Sequence, residues 1–268
     1  MNQSERRNYL IRRLLLERPE AEYQNAARQG SQPGVFGNTT EQKQLLRGLM
    51  NIRTAAETDE EFLRVQDAYL QEELRQKGVT DIDDLTAVQP GMYIWQGDIS
   101  TLRCGAIVNA ANSGMTGCYV PNHRCIDNCI HTFAGVQLRM DCAKLMEKQG
   151  HPEPTGQAKI TKAYNLPCRY VIHTVGPIIS GPLTAYDCEL LASCYRSCLQ
   201  LAAENGLESI AFCCISTGEF HFPNQRAAEI AVETVREFLK TKTSVKKVIF
   251  NVFKDIDKEI YERLLAGK

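Results

Sequence analysis

The sequence predicts an α/β layer fold preceded by a helical N-terminal segment, and two observations indicate this. From residue 89 onward, short β-rich runs alternate with stretches whose apolar residues have helical spacing, a pattern typical of helices packed on a sheet. Residues 1–88 instead contain repeated helix signals and no convincing strand. We therefore divide the chain into an N-terminal segment, residues 1–88, and an α/β domain, residues 89–268.

The N-terminal segment is expected to contain three helices. The first lies in "YLIRRLLLE", a run rich in apolar residues. A capping box from Thr39 to Gln42 predicts the start of the second helix, and another from Thr58 to Glu61 predicts the start of the third. Gly78 follows the third helix, where glycine commonly ends one.

The α/β domain is expected to alternate strands with helices. The strand predictions are "MYIWQG", "AIVNA", "AKITKAY", "RYVIHTV", "ESIAFCCIS" and "KKVIFNVF". The helix predictions between and after them are "IDNCIHTFAGVQLRMDCAKLMEKQG", "DCELLASCYRSCLQLAAENG", "NQRAAEIAVETVREFLKTK" and "KEIYERLLAG". No internal repeat interrupts this order, so a single layered domain is the simplest interpretation of residues 89–268.

Composition excludes several classes of protein. The chain has 31 Lys and Arg against 32 Asp and Glu, and this net charge of −1 gives no overall field to attract nucleic acid or an anionic membrane. The 11 cysteines are an odd number in a chain too large to need a disulfide scaffold, so we expect reduced thiols and a cytoplasmic location. Arg12, Arg13 and Arg18 interrupt the N-terminal apolar runs, so neither a signal peptide nor a membrane span is expected.

Candidate ligand-binding residues stand where predicted strands end. Asp98 follows one strand, and Asn109 and Asn112 lie at the end of the next, which is where open α/β sheets bind ligands. A Gly-containing turn before a helix, residues 216–222, is here called the phosphate loop, because its backbone N–H groups around Thr217 to Phe220 can form an anion nest. Taken one at a time, these residues also fit purely structural roles. The two asparagines can form turns, and the aspartate can act as a cap.

A candidate metal site lies in "GCYVPNHRC". Cys118, His123 and Cys125 are three soft ligands, and zinc uses three protein ligands in catalytic sites but four in structural sites. Asp127 and Cys129 compete as a fourth ligand, and Asp127 is also placed to orient water or accept a proton. The spacing is not a standard one, so the residues alone leave metal binding and simple packing about equally favoured.

Five motifs in residues 89–268 occur in an order that resembles the macrodomain family. They are "GDI", "AIVNAAN", "IDNCIH", "VIHTVGP" and "STGEFHFP". The resemblance implies a three-layer α/β/α fold with a mixed central sheet, and ADP-ribose as the ligand.

The same resemblance gives each candidate residue a role. Asp98 is expected to accept a hydrogen bond from the adenine amino group, with Ile99 beside it. Asn109 and Asn112 are expected to face the distal ribose. The resemblance places on the diphosphate Ser216, Thr217, Gly218, Glu219 and Phe220, and it packs Phe222 on the distal ribose.

Within that family the chain looks like the MacroD-type hydrolases, but "CYVPNHRC" replaces their glycine run while Asp127 and His131 remain. This departure resembles zinc-dependent macrodomains, some of which are encoded beside a sirtuin-type ADP-ribosyltransferase that modifies a lipoylated carrier protein. The resemblance implies a hydrolase that removes ADP-ribose from modified protein, with such a carrier as one acceptor. It implies Zn²⁺ on Cys118, His123 and Cys125, with catalytic roles for Asp127 and Asn112.

Two other functions remain open on the sequence. One is a non-catalytic ADP-ribose reader in which zinc only stiffens the loop, and the other is a deacylase of O-acyl-ADP-ribose. The sequence does not decide whether a metal would activate water or bind the substrate directly.

Overall fold

The computed structural model describes residues 1–18 and 37–266, so residues 19–36 of the N-terminal segment lie outside the described residues. In the described ranges the helices are α1 (Gln3–Leu16), α2 (Thr39–Ile52), α3 (Glu60–Lys77), α4 (Ile126–Ala134), α5 (Val136–Gln149), α6 (Ala185–Glu204), α7 (Asn224–Leu239) and α8 (Asp255–Leu265). The strands are β1 (Thr80–Asp81), β2 (Met92–Gln96), β3 (Leu102–Arg103), β4 (Ala106–Ala111), β5 (Ala158–Lys162), β6 (Tyr170–Val175), β7 (Ser209–Phe212) and β8 (Lys247–Val252). All six strands expected from the sequence are confirmed.

The six longer strands form one mixed sheet in the order β2-β8-β7-β4-β6-β5. Neighbours pair in parallel except β5, which runs antiparallel to β6 at the edge. Helices flank the sheet: α6 and α7 pack together, α4 packs on β4, and α8 packs on β2 and β8. The expected three-layer α/β/α fold is confirmed. Within residues 1–18 and 37–266, no helix is long and apolar enough to cross a membrane.

The central strands are buried on both faces, which explains their nearly continuous apolar sequences. Ile107, Val108, Val171 and Ile172 are fully buried in the main core. Such strands are typical of parallel sheets covered by helices on both sides. Because the parallel strands end at the same edge, the residues after β2, β4, β7 and β8 are brought together there, and this edge positions the candidate site.

The N-terminal segment has its own apolar core and docks on α5. Leu10, Leu46 and Phe62 pack together from α1, α2 and α3, and the same cluster includes Val136 and Met140 of α5. A short parallel pairing of β1 with β3 continues the connection. The segment is therefore packed against the α/β domain rather than tethered to it.

The predicted helix caps in this segment are wrong by one residue. Asn38, not the Thr39 to Gln42 box, caps α2, since its side chain accepts hydrogen bonds from the first turn. Asp59, not the Thr58 to Glu61 box, caps α3 by accepting from the N–H of Phe62 at 2.8 Å. Asn and Asp are preferred over Thr as N-caps, so the neighbouring residue takes the role in both cases. The prediction that Gly78 ends α3 is confirmed.

The single long helix predicted over "IDNCIHTFAGVQLRMDCAKLMEKQG" is also wrong, because Gly135 divides it into α4 and α5. Gly135 has φ of 100°, a conformation that side chains rarely adopt. A Cβ there would also lie 2.6 Å from Nε2 of Gln66 in the N-terminal segment. The break leaves α4 as a short helix whose first turn carries Asp127.

Candidate active site

The candidate site lies at the carboxyl edge of the sheet, between two loops. Residues 113–125, here called the ligand loop, connect β4 to α4. The phosphate loop, residues 216–222, connects β7 to α7. Nε2 of His123 lies 3.7 Å from Oε1 of Glu219, so the two loops meet above the edge of the sheet.

The structure brings the three predicted metal ligands together. The ligand atoms of Cys118, His123 and Cys125 lie within 4.8 Å of one another, and Sγ of Cys118 is 3.5 Å from Nδ1 of His123. Tetrahedral zinc with bonds of about 2.0–2.3 Å places neighbouring ligand atoms about 3.5–3.8 Å apart. Two thiols and an imidazole at this separation therefore fit zinc in both chemistry and size.

Cys125 also begins α4. Its Sγ accepts from the N–H of Asn128 at 3.4 Å, which makes it the N-cap of the helix. Burial raises the pKa of the Cys125 thiol to about 12. A metal ion binds the thiolate and releases the proton, so metal binding at this position would be coupled to ionisation of the thiol.

The two competing fourth ligands are engaged elsewhere. Asp127 accepts hydrogen bonds from two asparagine side chains, and Sγ of Cys129 lies 3.3 Å from Nη2 of Arg47. Among residues 1–18 and 37–266, the candidate metal ligands that lie close to Cys118 are His123 and Cys125. Asp127 and Cys129 do not belong to this group. The close group of candidate metal ligands therefore has three members, Cys118, His123 and Cys125.

Asp127 is the buried carboxylate of the site. Its Oδ1 accepts from Nδ2 of Asn109 at 2.8 Å and its Oδ2 from Nδ2 of Asn112 at 3.3 Å. Burial raises the pKa of Asp127 to about 6, against the opposing effects of the Asn109 hydrogen bond and the charge of Arg139. The carboxylate is therefore held in a fixed orientation beside the ligand loop.

A buried hydrogen-bonded chain supports Asp127 from below. Asn109 is fully buried, and its Nδ2 also lies 3.1 Å from Nδ1 of His173. An amide nitrogen donates, so Nδ1 of His173 accepts and its Nε2–H points to Oγ1 of Thr161 at 2.9 Å. The sequence prediction that His173 is a satisfied interior histidine is confirmed.

His131 packs beneath the ligand loop. Neither of its ring nitrogens has a hydrogen-bond partner, and Nε2 lies 3.6 Å from Oδ1 of Asp127. Burial, with the nearby His173 and Arg139, lowers the pKa of His131 well below its usual value, so the ring is neutral. A Cβ at Gly117 would lie 2.8 Å from this ring, and φ of 87° also favours glycine there.

The phosphate loop folds back on itself and leaves backbone donors available. Its ends are joined by a 2.9 Å hydrogen bond from the N–H of Phe222 to the carbonyl of Ser216. Among the described residues, no backbone hydrogen bond is donated by the N–H groups of Gly218, Glu219 or Phe220. These donors lie just before the start of α7, as an anion-binding loop requires.

The end of the sheet edge that carries Asp98 is more exposed to solvent than the end that carries Asp127. The carboxylate of Asp98 accepts from the N–H of Ser100 at 3.0 Å and from Nζ of Lys77 at 3.2 Å. Burial raises the pKa of Asp98, but the Ser100 hydrogen bonds and the charge of Lys77 outweigh it, and the pKa is lowered. The carboxylate is therefore charged and accessible to a ligand.

Two of the residues predicted to contact ADP-ribose are buried. Ile99 and Phe222 are only 2% and 1% exposed and belong to the main core. Their predicted contacts with ADP-ribose stay predictions, as do those of the other candidate residues.

The sequence analysis missed three residues of the site. Phe253 is 77% exposed immediately after β8, which pairs with the strand that precedes Asp98. Asn128 donates from Nδ2 to the carbonyls of Cys118 and Val120. Arg139 donates from Nε to the carbonyl of Thr116 at 2.7 Å. Phe253 is the last residue of the predicted strand "KKVIFNVF", and an aromatic residue at a strand end is a usable signal for the first; the other two depend on contacts between separate elements.

Comparison with known proteins identifies the family. The Macro domain family model matches residues 108–231. A Treponema medium protein named protein-ADP-ribose hydrolase is 58% identical over 270 residues, covering 99% of this chain and 100% of that protein. The chain belongs to the macrodomain family. A Staphylococcus aureus (strain MSSA476) protein of the same name is 53% identical, covering 82% of this chain and 83% of that protein.

A solved macrodomain structure is similar as well. The Trypanosoma brucei macrodomain in complex with ADP-ribose has 31% sequence identity and a TM-score of 0.64, covering 82% of this chain and 95% of that one. The family match includes Asn109, Asp127 and the phosphate loop, whereas Asp98 and Phe253 lie outside it. The buried half of the site is thus within the macrodomain match itself.

Proposed function

We propose that this macrodomain is a zinc-dependent hydrolase that removes ADP-ribose from modified protein. The observation that carries the proposal is the position of Asp127, which is buried, oriented by Asn109 and Asn112, and only two residues beyond Cys125. Relatives named protein-ADP-ribose hydrolase support the hydrolase activity. The chemistry and spacing of the three soft ligands support the zinc.

Binding of ADP-ribose is proposed along the carboxyl edge of the sheet. Asp98 accepts from the adenine amino group, and the exposed ring of Phe253 stacks on the adenine. The free N–H groups of residues 218–220 hold the diphosphate. This order leaves the distal ribose beside Asn112 and the ligand loop.

The catalytic residues then act on the bond to the distal ribose. Cys118, His123 and Cys125 would hold the zinc, and the metal would supply a Lewis acid at this end of the sheet edge. Asp127 already accepts one N–H on each oxygen, and a carboxylate has about four lone-pair positions. It therefore retains the capacity to orient a water molecule or accept its proton. Asn112 holds Oδ2 of that carboxylate at the cleft side.

The reader hypothesis is less well supported than hydrolysis. A structural zinc requires a fourth protein ligand. The two candidates, Asp127 and Cys129, point their ligand atoms at other side chains. Deacylation of O-acyl-ADP-ribose remains the second enzymatic candidate, because the same carboxylate and metal suit an ester carbonyl. That the acceptor is a lipoylated carrier protein stays a prediction.

The test compares two substrates on the full-length chain. Wild-type protein and Asp127→Asn are incubated with a mono-ADP-ribosylated protein and, separately, with O-acetyl-ADP-ribose, and free ADP-ribose is quantified. We expect wild type to release ADP-ribose from the modified protein and the variant to lose this activity. If the protein binds ADP-ribose but releases it from neither substrate, the result supports the non-catalytic reader hypothesis. If it releases ADP-ribose from O-acetyl-ADP-ribose alone, the result supports the deacylase hypothesis.

A further inference from the structure

The N-terminal segment contacts the ligand loop through the last turns of α2. A Cβ on Gly48 would lie 3.2 Å from Nδ2 of Asn122 and 3.8 Å from Cβ of Pro121. The helix thus approaches the loop closely along its glycine face. Two polar residues on either side of this contact, Arg47 and Asn51, make hydrogen bonds into the ligand loop and α4.

Arg47 holds the metal-ligating part of the loop. Its Nη2 lies 2.9 Å from the backbone carbonyl of His123 and 3.1 Å from Oδ1 of Asn128. Because Oδ1 of Asn128 accepts from the guanidinium, its Nδ2 faces the carbonyls of Cys118 and Val120. One arginine therefore fixes the backbone beside two of the three ligands.

Asn51 holds the turn before His123. Its Oδ1 accepts from the N–H of Asn122 at 2.9 Å, and its Nδ2 donates to Oγ1 of Thr132 at 2.8 Å. Asn122 has φ of 57°, in the left-handed region that asparagine adopts more readily than most residues other than glycine. Asn51 is 1% exposed, so its two bonds are shielded from water and stabilise this turn.

Arg139 joins the other end of the loop to the same helix. Its guanidinium donates to the carbonyl of Thr116 at 2.7 Å and to the carbonyls of Met50 and Asn51 at 3.2 and 2.8 Å. It also lies over the ring of Tyr119, 4.3 Å from the centroid. A cation at the carboxyl end of α2 complements the helix dipole. The loop is thus fixed at both ends by contacts that depend on α2.

We infer that α2 is part of the metal site, with Arg47 and Asn51 as positioning residues for Cys118, His123 and Cys125. The inference rests on the proposed function, because it concerns the same metal. Partners outside the ligand set orient the ligands, and their loss typically costs about 10–100-fold in metal affinity or activity. The N-terminal segment therefore contributes to catalysis without contacting ADP-ribose through these residues.

The test uses full-length Arg47→Leu and Asn51→Ala, with Gln66→Ala as a matched control. Gln66 is also a fully buried amide of the N-terminal segment, and it bonds to Val136 and Gln137 of α5, away from the ligand loop. Zn²⁺ affinity is measured by competition with a chromophoric chelator, and the site is observed through the absorption spectrum of bound Co²⁺. Amide hydrogen exchange across residues 117–125 is followed in metal-free protein.

We expect both α2 variants to bind Zn²⁺ roughly 10–100-fold more weakly, to alter the Co²⁺ spectrum and to exchange faster in residues 117–125. Gln66→Ala keeps the wild-type value in all three measurements. Equal zinc affinity and exchange in wild type and both α2 variants overturns the inference, and so does an equal loss in Gln66→Ala, which indicates general destabilisation. Failure of the proposed function gives a different result, because the wild-type protein itself then binds no zinc. The hydrogen-exchange comparison in metal-free protein still shows in that case whether α2 orders residues 117–125.

Discussion

The two ends of the cleft are built in different ways. At the adenine end, the side chain of Asp98 is 40% exposed and Phe253 is 77% exposed, and each follows its own strand. At the distal end, Asp127 and Asn109 are buried and hydrogen-bonded to one another, and Asn109 is also hydrogen-bonded to His173. The first group consists of separate contacts at the surface, while the second is a connected network.

This difference predicts how substitutions behave. Exposed contacts act independently, so each is expected to change ligand affinity by a limited amount without affecting the chemistry. Buried polar groups that share partners act as a unit, and loss of one leaves the others misplaced. Each substitution at the adenine end should therefore weaken ADP-ribose binding by its own limited amount. Any single substitution in the buried network at the distal end should remove most of the hydrolysis.

The largest effect is expected from loss of a metal ligand. Cys125→Ala or His123→Ala should abolish stoichiometric zinc and slow release of ADP-ribose by about 10³-fold or more, because a Lewis acid contributes several kcal/mol to the transition state. Free ADP-ribose should still bind, since Asp98 and the phosphate loop are intact. Metal analysis and single-turnover release measure both quantities.

A matching substitution at Cys129 sharpens that comparison. Cys129→Ala should retain about one zinc per chain, because its sulfur faces Arg47 rather than the ligand group. Loss of zinc from Cys129→Ala to the same extent as from Cys125→Ala would identify a fourth protein ligand and favour the structural-zinc reader.

The next effect is expected at Asp127. Asp127→Asn keeps the size of the side chain but removes its charge and its capacity as a proton acceptor. Release should fall by about 10²–10⁴-fold, the usual contribution of a general base, while zinc content and ADP-ribose affinity are maintained. Single-turnover release and calorimetry on the same protein check this. A variant that releases ADP-ribose at the wild-type rate contradicts the catalytic role.

A smaller effect is expected from Phe253. Phe253→Ala should weaken ADP-ribose binding by ~1–3 kcal/mol, the usual contribution of stacking one base on an aromatic ring. Release at saturating substrate should be unchanged, because the distal network is untouched. Phe253→Tyr preserves the ring and serves as the control. If the alanine variant binds as tightly as wild type, adenine lies elsewhere.

The last comparison is between Asp98 and Lys77, and Lys77 is expected to give the smallest effect of all. Asp98→Ala should weaken ADP-ribose binding by ~1–3 kcal/mol, since a hydrogen bond to a charged group is lost. Lys77→Ala removes only a partly exposed ion pair and should change the affinity by less than about 1 kcal/mol. Calorimetry with ADP-ribose separates the two. A larger effect from Lys77 than from Asp98 reverses the assignment of the adenine contact.

The sequence predicted the sheet well and the site in part, for physical reasons. Buried parallel strands leave continuous apolar runs, so β4 and β6 were readily located. The break at Gly135 was missed because the helical pattern continues across it, and its φ of 100° is visible only in the structure. Arg47 bonds to residues about 80 positions away, as its 2.9 Å contact with His123 shows, and no local pattern encodes such a contact.

The central claim, that zinc at the distal end carries hydrolysis while the adenine end carries binding, is tested most directly by metal removal. Full-length protein is stripped with a chelator, analysed for metal, and assayed for ADP-ribose affinity and for single-turnover release from modified protein, before and after zinc is restored. We expect about one zinc per chain at the start, loss of release with preserved ADP-ribose binding after stripping, and recovery with zinc. Wild-type release by protein that contains no stoichiometric transition metal would contradict the account.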